Sequence, residues 1–294
     1  GGAPPQIVVV DSIQTIFDPE IPSAPGSVSQ VRECGARLVR AARDHGVTVI
    51  LVGHVTKEGV VAGPRVLEHL VDVVLNFEGD RTSGVRVLRA LKNRFGSTQD
   101  VGFFEMTSDG LFAIRDASAY LLADRCIGLA GSVLAACVDG RRPFVCEMQA
   151  LTEDTKAPLS ARRTALGVDG ARLPQILAVL QKHAGVKFFE TDIYVSAVGG
   201  IRASEPACDL PVALAVLSSK LDKPVRADAV AFGEIGLAGE VRQVVATERR
   251  LAEARSVGCK HAFVPHNFTD DFEGLELHRI RHVSDALVAI AHRW

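Results

Sequence analysis

Ile7-Val8-Val9-Val10-Asp11-Ser12 is the stretch whose reading decides the fold. Four consecutive apolar residues ending in a carboxylate have the pattern of a parallel strand covered on both faces. The acid then stands at the C-terminal edge, where open α/β sheets bind their ligands. A Walker B strand has this form, its carboxylate reaching a nucleotide-bound magnesium directly or through water. The pattern alone is weak, because many α/β strands end in an acid that merely caps the next turn. The phosphate-cradling loop G-x-x-x-x-G-K-[ST] that should precede such a strand occurs nowhere in the 294 residues. Gly1-Gly2-Ala3-Pro4-Pro5 leads almost at once into what reads as an interior strand, so further sheet is expected in front of it.

Outward from this strand, the chain alternates strands with helices. A proline-rich loop runs to Gly26, and Ser27 or Ser29 caps a helix ending at Gly46, with Val31, Leu38, Val39 and Ala42 as its inner stripe. Val47–Val52 is a second buried strand, stopping at Gly53-His54. A short helix is expected over Val66–Asp72, then strands over Val73–Phe77, Gly84–Asn93 and Val101–Thr107. This order predicts an α/β sheet that finishes with antiparallel strands. Near Arg115–Ser118 the first unit ends. The second opens with a hairpin, Gly131–Val138 and Pro143–Leu151, turning at Asp139-Gly140. Helices are then expected near 174–183, 208–220, 247–256 and 283–292, and strands near 193–198, 229–233 and 262–265. The expected domains are 1–116 and 117–294.

Composition bounds the function. The chain is 47% apolar and 23% charged, which excludes a disordered class. Its 33 basic and 35 acidic residues give a net charge of -2 and exclude a polyanion-binding tail. The balance is 12 basic to 14 acidic through Asp116 and 21 to 21 beyond it, so any nucleic-acid contact must come from local patches. Arg141-Arg142, Arg162-Arg163 and Arg249-Arg250 are such patches, or else solvated faces. The six cysteines form no C-x-x-C pair and read as buried free thiols of a reducing cytoplasm, with no structural zinc in this chain. No apolar run approaches the roughly 20 residues of a membrane span, and no secretory signal opens the chain.

Lys92-Asn93-Arg94-Phe95-Gly96 is the most specific block. With Ala24–Glu33, Val55–Gly59 and Ala62–His69, it closely resembles the RadA (Sms) family of bacterial DNA-repair ATPases, relatives of RecA and of DnaB-type helicases. The resemblance implies a partial RecA-like sheet with flanking helices, followed by an α/β domain like the proteolytic domain of Lon (S5-like). It also implies a Walker A lysine and a four-cysteine zinc module ahead of Gly1. Under it, Asp11 is the magnesium-associated acid, with Ser12 beside the nucleotide. His54 senses the γ-phosphate, where the alternative is a satisfied imidazole at a strand end. Lys92 and Arg94, two apart on a strand end, project from one edge. By resemblance they reach the ATP of a neighbouring subunit and neutralise charge on its γ-phosphate; the alternative is a solvated basic edge. Ile13–Ser27 and Val55–Arg65 match the two DNA-binding loops of RecA-like proteins, with Lys57 and Arg65 as phosphate contacts. Only Phe17 offers a stacking platform, so backbone tracking is expected more than base readout.

Tyr194–Gly200, Phe232–Val241 and His261–Pro265 carry the likeness to Lon. Lon enzymes pair a serine nucleophile with a lysine base. By that resemblance, the nucleophile position is Ala207 and the lysine position is Glu248, so both chemical groups are missing. Ser204 and Cys208 lie near, while Lys220 and Lys223 fall outside the register. The expected activity is a homo-oligomeric, ring-forming (hexameric) DNA-dependent ATPase and helicase. With ATP and Mg2+ it would drive branch migration on single-stranded DNA and recombination intermediates, beside a RecA-type recombinase and away from membranes. The chain alone, lacking the phosphate loop, is expected to be inactive. The alternatives are a non-catalytic DNA-binding and ring-assembly module, or an active Lon-like peptidase.

Overall fold

The caps expected of the first helix are in place. In the structure, a computed structural model describing residues 5–54, 64–79, 84–155 and 161–291, α1 spans Val28–His45. Ser27 Oγ accepts the Gln30 amide at its start, and Gly46 closes it at φ 62°, a left-handed conformation suited to glycine. Two compact units divide the chain: Gly1–Asn76 with Arg89–Thr98, and Phe77–Leu88 with Gln99–Trp294.

In the first unit, β1 (Ile7–Asp11) pairs in parallel with β2 (Thr48–Val52), from Ile7 opposite Thr48 to Asp11 opposite Val52. Burial departs from expectation. Val8 and Val10 are partly covered, whereas Ile7 and Val9 are 59% and 60% exposed, as is Ile50 of β2 at 48%. Side chains alternate across a strand, so the apolar run splits between two faces, and only one is packed. The small core gathers Ile13, Val31 and Leu67, the last from α2 (Pro64–Glu68). A second sheet runs in the order β3 (Val73–Glu78), β4 (Val85–Asn93), β5 (Val101–Thr107), β6 (Gly110–Ala113), of which β5 and β6 belong to the second unit. β6 is the antiparallel return of β5 across a turn at Ser108-Asp109, which the sequence pattern presented only as a turn.

The second unit supplies the larger core. Asp116 caps α3 (Ala117–Leu122) through the Ala119 amide at 2.9 Å. The following elements are β7 (Ser132–Asp139), β8 (Arg142–Asp154), β9 (Arg163–Leu166), α4 (Arg172–His183), β10 (Thr191–Ala197), α5 (Asp209–Leu221), β11 (Ala229–Ala231), β12 (Glu234–Ile235), β13 (Val241–Arg242), α6 (Thr247–Ser256), β14 (His261–Pro265), β15 (Glu276–Ile280) and α7 (Val283–Ala291). Seven strands form one mixed sheet in the order β15-β14-β11-β7-β8-β10-β9. The β7–β8 hairpin turns as expected, with Gly140 at φ 58° where a Cβ would strike the Gln99 carbonyl.

Strand β7 is central and buried on both faces. Val133, Ala135 and Cys137 enter the core containing α4, α5 and α7, while Leu134 and Ala136 enter the one containing α6. Helix α5 is buried from Asp209 through Ser218, as an all-round apolar helix must be. No helix among the described residues is long and apolar enough to cross a membrane. Of the six cysteines, five are buried and free as expected; Cys126 is exposed, because it falls in the turn after α3 and not within a strand or helix.

An ion pair with a fully buried cation sits inside this unit. Arg250 of α6 is completely buried, its guanidinium held bidentately by Glu205 at 2.7 and 2.6 Å and by the carbonyls of Ala136 and Val245. The pair Arg249-Arg250 is therefore not a doubled surface charge. Its second member points inward because the i, i+1 step on a helix separates the two side chains by about 100°. Replacing Arg250 by alanine strands the half-buried Glu205 carboxylate and leaves the Ala136 and Val245 carbonyls without that donor. Arg250→Ala is expected to lower stability in urea denaturation by about 3–5 kcal/mol, and Arg249→Ala by under about 0.5 kcal/mol. Equal effects would contradict the assignment.

Candidate functional site

Asp11 and His54 stand at the same end of the β1/β2 pair, one at the last residue of β1 and the other two residues beyond β2. The Asp11 side chain is exposed, and no hydrogen bond or ion pair engages it among the described residues. An unpaired carboxylate at a strand terminus is a hard oxygen donor suited to Mg2+ or its waters. Its neighbour Ser12 is buried, and the Ser12 carbonyl accepts from the Thr15 amide and hydroxyl at 3.0 and 2.8 Å. The Asp11–Ser12 peptide is cis. His54 is exposed, and its carbonyl accepts from Gln14 Nε2 at 3.3 Å.

The basic pair is engaged elsewhere. Lys92 Nζ donates to the carbonyls of Glu68 and Val71, both at 2.8 Å, so it caps the end of α2. Arg94 is 62% exposed and holds Asp72 at 2.8 Å. An exposed ion pair of this kind is worth about 0–1 kcal/mol and is easily exchanged for another anion. Asn93 shapes the turn between them, accepting the Phe95 amide at 3.0 Å and leaving the Phe95 ring 81% exposed. Neither Lys92 nor Arg94 contacts Asp11 or His54 among the described residues. Lys57 lies outside those residues, as does most of the Val55–Arg65 loop; Arg65 is the second residue of α2, and only its backbone is described.

The other loop, Ile13–Ser27, has an organiser that sequence reasoning missed. Gln30 is fully buried at the start of α1. Its Nε2 donates to the carbonyls of Asp18, Ile21 and Ser23 at 2.9, 3.1 and 3.1 Å, and its Oε1 accepts the Asp18 amide at 3.0 Å. Arg37 adds ion pairs to Asp18 and Glu20. The sequence offered only a polar residue next to Val31 of the inner stripe, and glutamine is seldom buried.

In the second unit, Ala207 is buried in the turn Pro206–Cys208, its carbonyl accepting the Gly233 amide at 2.8 Å, and Glu248 is exposed in the first turn of α6. Beside Ala207 stand Glu205, locked to Arg250 and to the Val138 amide at 2.7 Å, and the buried thiol of Cys208. Cys137 Sγ lies 3.5 Å from Cys208 Sγ and 3.7 Å from Cys146 Sγ. The hydrogen bond from Cys137, with burial behind it, holds the Cys208 thiol well above the usual range, so it is not a thiolate nucleophile. Lys220 is spent on Asp154 and Thr191 Oγ1. The remaining arginine pairs are split as at Arg249-Arg250. Arg142 donates to the carbonyls of Ile114 and Arg115, and Arg163 to those of Phe188 and Thr191, leaving Arg141 and Arg162 outward.

Compared with known proteins, the chain is 48% identical to the DNA repair protein RadA of Listeria monocytogenes over 263 residues, 90% of this chain and 57% of that protein. It is 45% identical to RadA of Bacillus subtilis, covering 96% of this chain and 62% of that protein. RadA of Pseudomonas aeruginosa matches at 48%, over 89% and 57%. The chain belongs to the RadA family. It spans about three-fifths of the length of the curated relatives it matches. The family model described as subunit ChlI of Mg-chelatase matches residues 172–267, a stretch confined to the second unit that runs from the start of α4 to just past β14. It includes Ala207, Glu248 and the Glu205–Arg250 pair.

Gln30→Leu removes a buried polar hub while keeping its size. Each buried group left unpaired costs about 1–3 kcal/mol, so the variant is expected to open its first unit at least ~100-fold more often. Hydrogen exchange and limited proteolysis across residues 16–27 read this directly. Unchanged protection would show that the loop is held some other way.

Proposed function

We propose that the chain supplies part of a DNA-repair ATPase that works as a ring of identical subunits, hexameric by the family resemblance. Residues 1–116 are the C-terminal part of its RecA-like motor, and 117–294 a Lon-like domain without peptidase activity. The observation that carries this reading is the unengaged Asp11 carboxylate at the end of a parallel strand, with His54 ending the neighbouring strand, in a RadA-family chain. When bound, ATP and its Mg2+ supply the phosphoryl group to be transferred. Asp11 holds the metal or its water, Ser12 sets the carboxylate's approach, and His54 reads the γ-phosphate. Arg94 is the group best placed to act on the next subunit's nucleotide, since only one exposed ion pair restrains it. Lys92 supports the same edge while capping α2.

Single-stranded DNA and recombination intermediates are the proposed substrates, moved by branch migration alongside a RecA-type recombinase. Lys57, Arg65 and the Gln30-laced loop would track phosphates. In the second domain, Arg141, Arg162 and Arg249 are the outward cations available to a duplex. A four-cysteine zinc module is proposed ahead of this chain in the complete protein.

A peptidase reading has little support. Ala207 carries no nucleophilic atom, Cys208 is a buried thiol held well above its usual range, and the cation paired with the adjacent Glu205 is Arg250; arginine does not serve as a general base. A non-catalytic assembly module remains the reading for this chain by itself, because the phosphate loop is not among its residues.

Two assays test this together. The longer native protein is expected to hydrolyse ATP with stimulation by single-stranded DNA and to lose at least ~100-fold with Asp11→Asn. The 294-residue chain is expected to be silent, and neither protein to react with a serine-directed phosphonate or cleave casein. Turnover by the short chain, an active Asp11→Asn protein, or phosphonate labelling would each overturn the part it touches.

A further inference from the structure

We infer that the edge of the seven-stranded sheet carries a divalent d-block cation site, of which Zn2+ is the representative ion, built from His261, Glu276 and His278. Strands β14 and β15 run parallel, with His261 opposite Glu276 and Phe263 opposite His278. Paired residues of parallel strands share a face, as do residues two apart on one strand, so all three ligands project together. His261 Nδ1 lies 3.1 Å from His278 Nε2 and 3.4 Å from Glu276 Oε2, and His278 Nε2 lies 3.8 Å from Glu276 Oε1. A tetrahedral ion about 2.0–2.1 Å from each donor sets donor–donor distances of about 3.3–3.4 Å. The separations of His261 from His278 and from Glu276 Oε2 are already near that value, and a rotation of the exposed Glu276 carboxylate would bring one oxygen toward both imidazoles.

The imidazoles are held rather than free. Their side chains are only 13% and 14% exposed; the two rings stack at 5.3 Å, and His278 also packs on Phe263 at 5.2 Å. Behind them, Asp228 Oδ2 faces the other nitrogen of His261 at 3.9 Å, beyond hydrogen-bond distance but on the side from which a carboxylate would orient a ligating imidazole. Arg226 is paired with Asp228 and adds one positive charge; against Asp228 and Glu276 the neighbourhood remains net negative. The 3.1 Å approach of two ring nitrogens requires either one N–H between them or one ion shared by both lone pairs. The convergent Glu276 carboxylate, 65% exposed, supplies the third donor that an ion needs and a hydrogen bond does not. Two imidazoles and a carboxylate suit Zn2+ and leave a fourth position to water. The ion would pin β15, the sheet's edge strand, to β14.

The test uses the tag-free 294-residue chain, stripped with chelator and titrated with Zn2+ against a chromophoric competitor, then loaded with Co2+. About one equivalent is expected to bind at micromolar affinity or better, and Co2+ to give visible d–d bands without thiolate charge transfer. Glu276→Gln, at an exposed position, and His278→Ala are each expected to weaken binding at least ~10-fold, with folding verified by circular dichroism, and His266→Gln to leave it unchanged. Absence of binding, binding indifferent to Glu276→Gln and His278→Ala, or a Co2+ spectrum with thiolate charge transfer, which would move the ion to Cys137, Glu205 and Cys208, each overturns the site.

Discussion

Among the described residues of the second unit, the guanidinium of Arg250 is the most deeply buried charged group, and much of the local architecture follows from satisfying it. Glu205 must reach inward to neutralise it, which fixes the turn Pro206–Cys208 that leads into α5. The same carboxylate takes the Val138 amide, and the guanidinium takes the Ala136 carbonyl, so helix α6, the 205–208 turn and the central strand β7 are tied at one point. A pair of this kind contributes little net stability but makes the loss of either partner costly. Its consequence for chemistry is negative. The position where a Lon-type nucleophile would stand is surrounded by an ion pair and protonated thiols, an arrangement that holds shape and does not move protons.

The first unit is organised by a neutral counterpart. Gln30 satisfies four backbone groups of a proline-rich loop that has no ladder of its own, which lets that loop keep a shape beside the β1/β2 terminus. Among the described residues the side chains of Asp11 and His54 have no hydrogen-bond or ion-pair partner at that terminus, whereas Lys92 and Arg94 have partners. The contrast between the two basic residues is informative. Two backbone carbonyls make Lys92 part of the scaffold of α2, while Arg94 holds one exposed carboxylate that an incoming phosphate can displace.

Much of this was legible in the sequence. Ser27 and Gly46 announced α1, Asp139-Gly140 announced the β7–β8 hairpin, and the all-apolar run of α5 announced its burial. The match of α6 to Thr247–Ser256 was complete. Short elements escaped: β6, β9 and β15 are four or five residues long, too short to show a period, and recognisable only through the strands they pair with. Burial was legible where both faces of a strand are packed, as in β7, and misread where one is open, as in β1. The arginine pairs misled for a related reason, since adjacency in sequence says nothing of which member turns inward. The nucleotide residues rested on the K-N-R-F-G resemblance, while Gln30, the Glu205–Arg250 lock and the histidine cluster involve partners 7 to 45 residues apart that no local pattern joins.

The central claim is that the nucleotide site is shared, with Asp11 on one subunit and Arg94 on the next. It is tested most directly by mixing Asp11→Asn and Arg94→Ala versions of the longer native protein and measuring DNA-stimulated ATP hydrolysis. Each version alone is expected to be nearly silent, and the mixture to regain a substantial fraction of native turnover, because some interfaces then combine an intact Asp11 with an intact Arg94. No recovery in rings verified to contain both versions, or full activity of the Arg94→Ala protein alone, would contradict it.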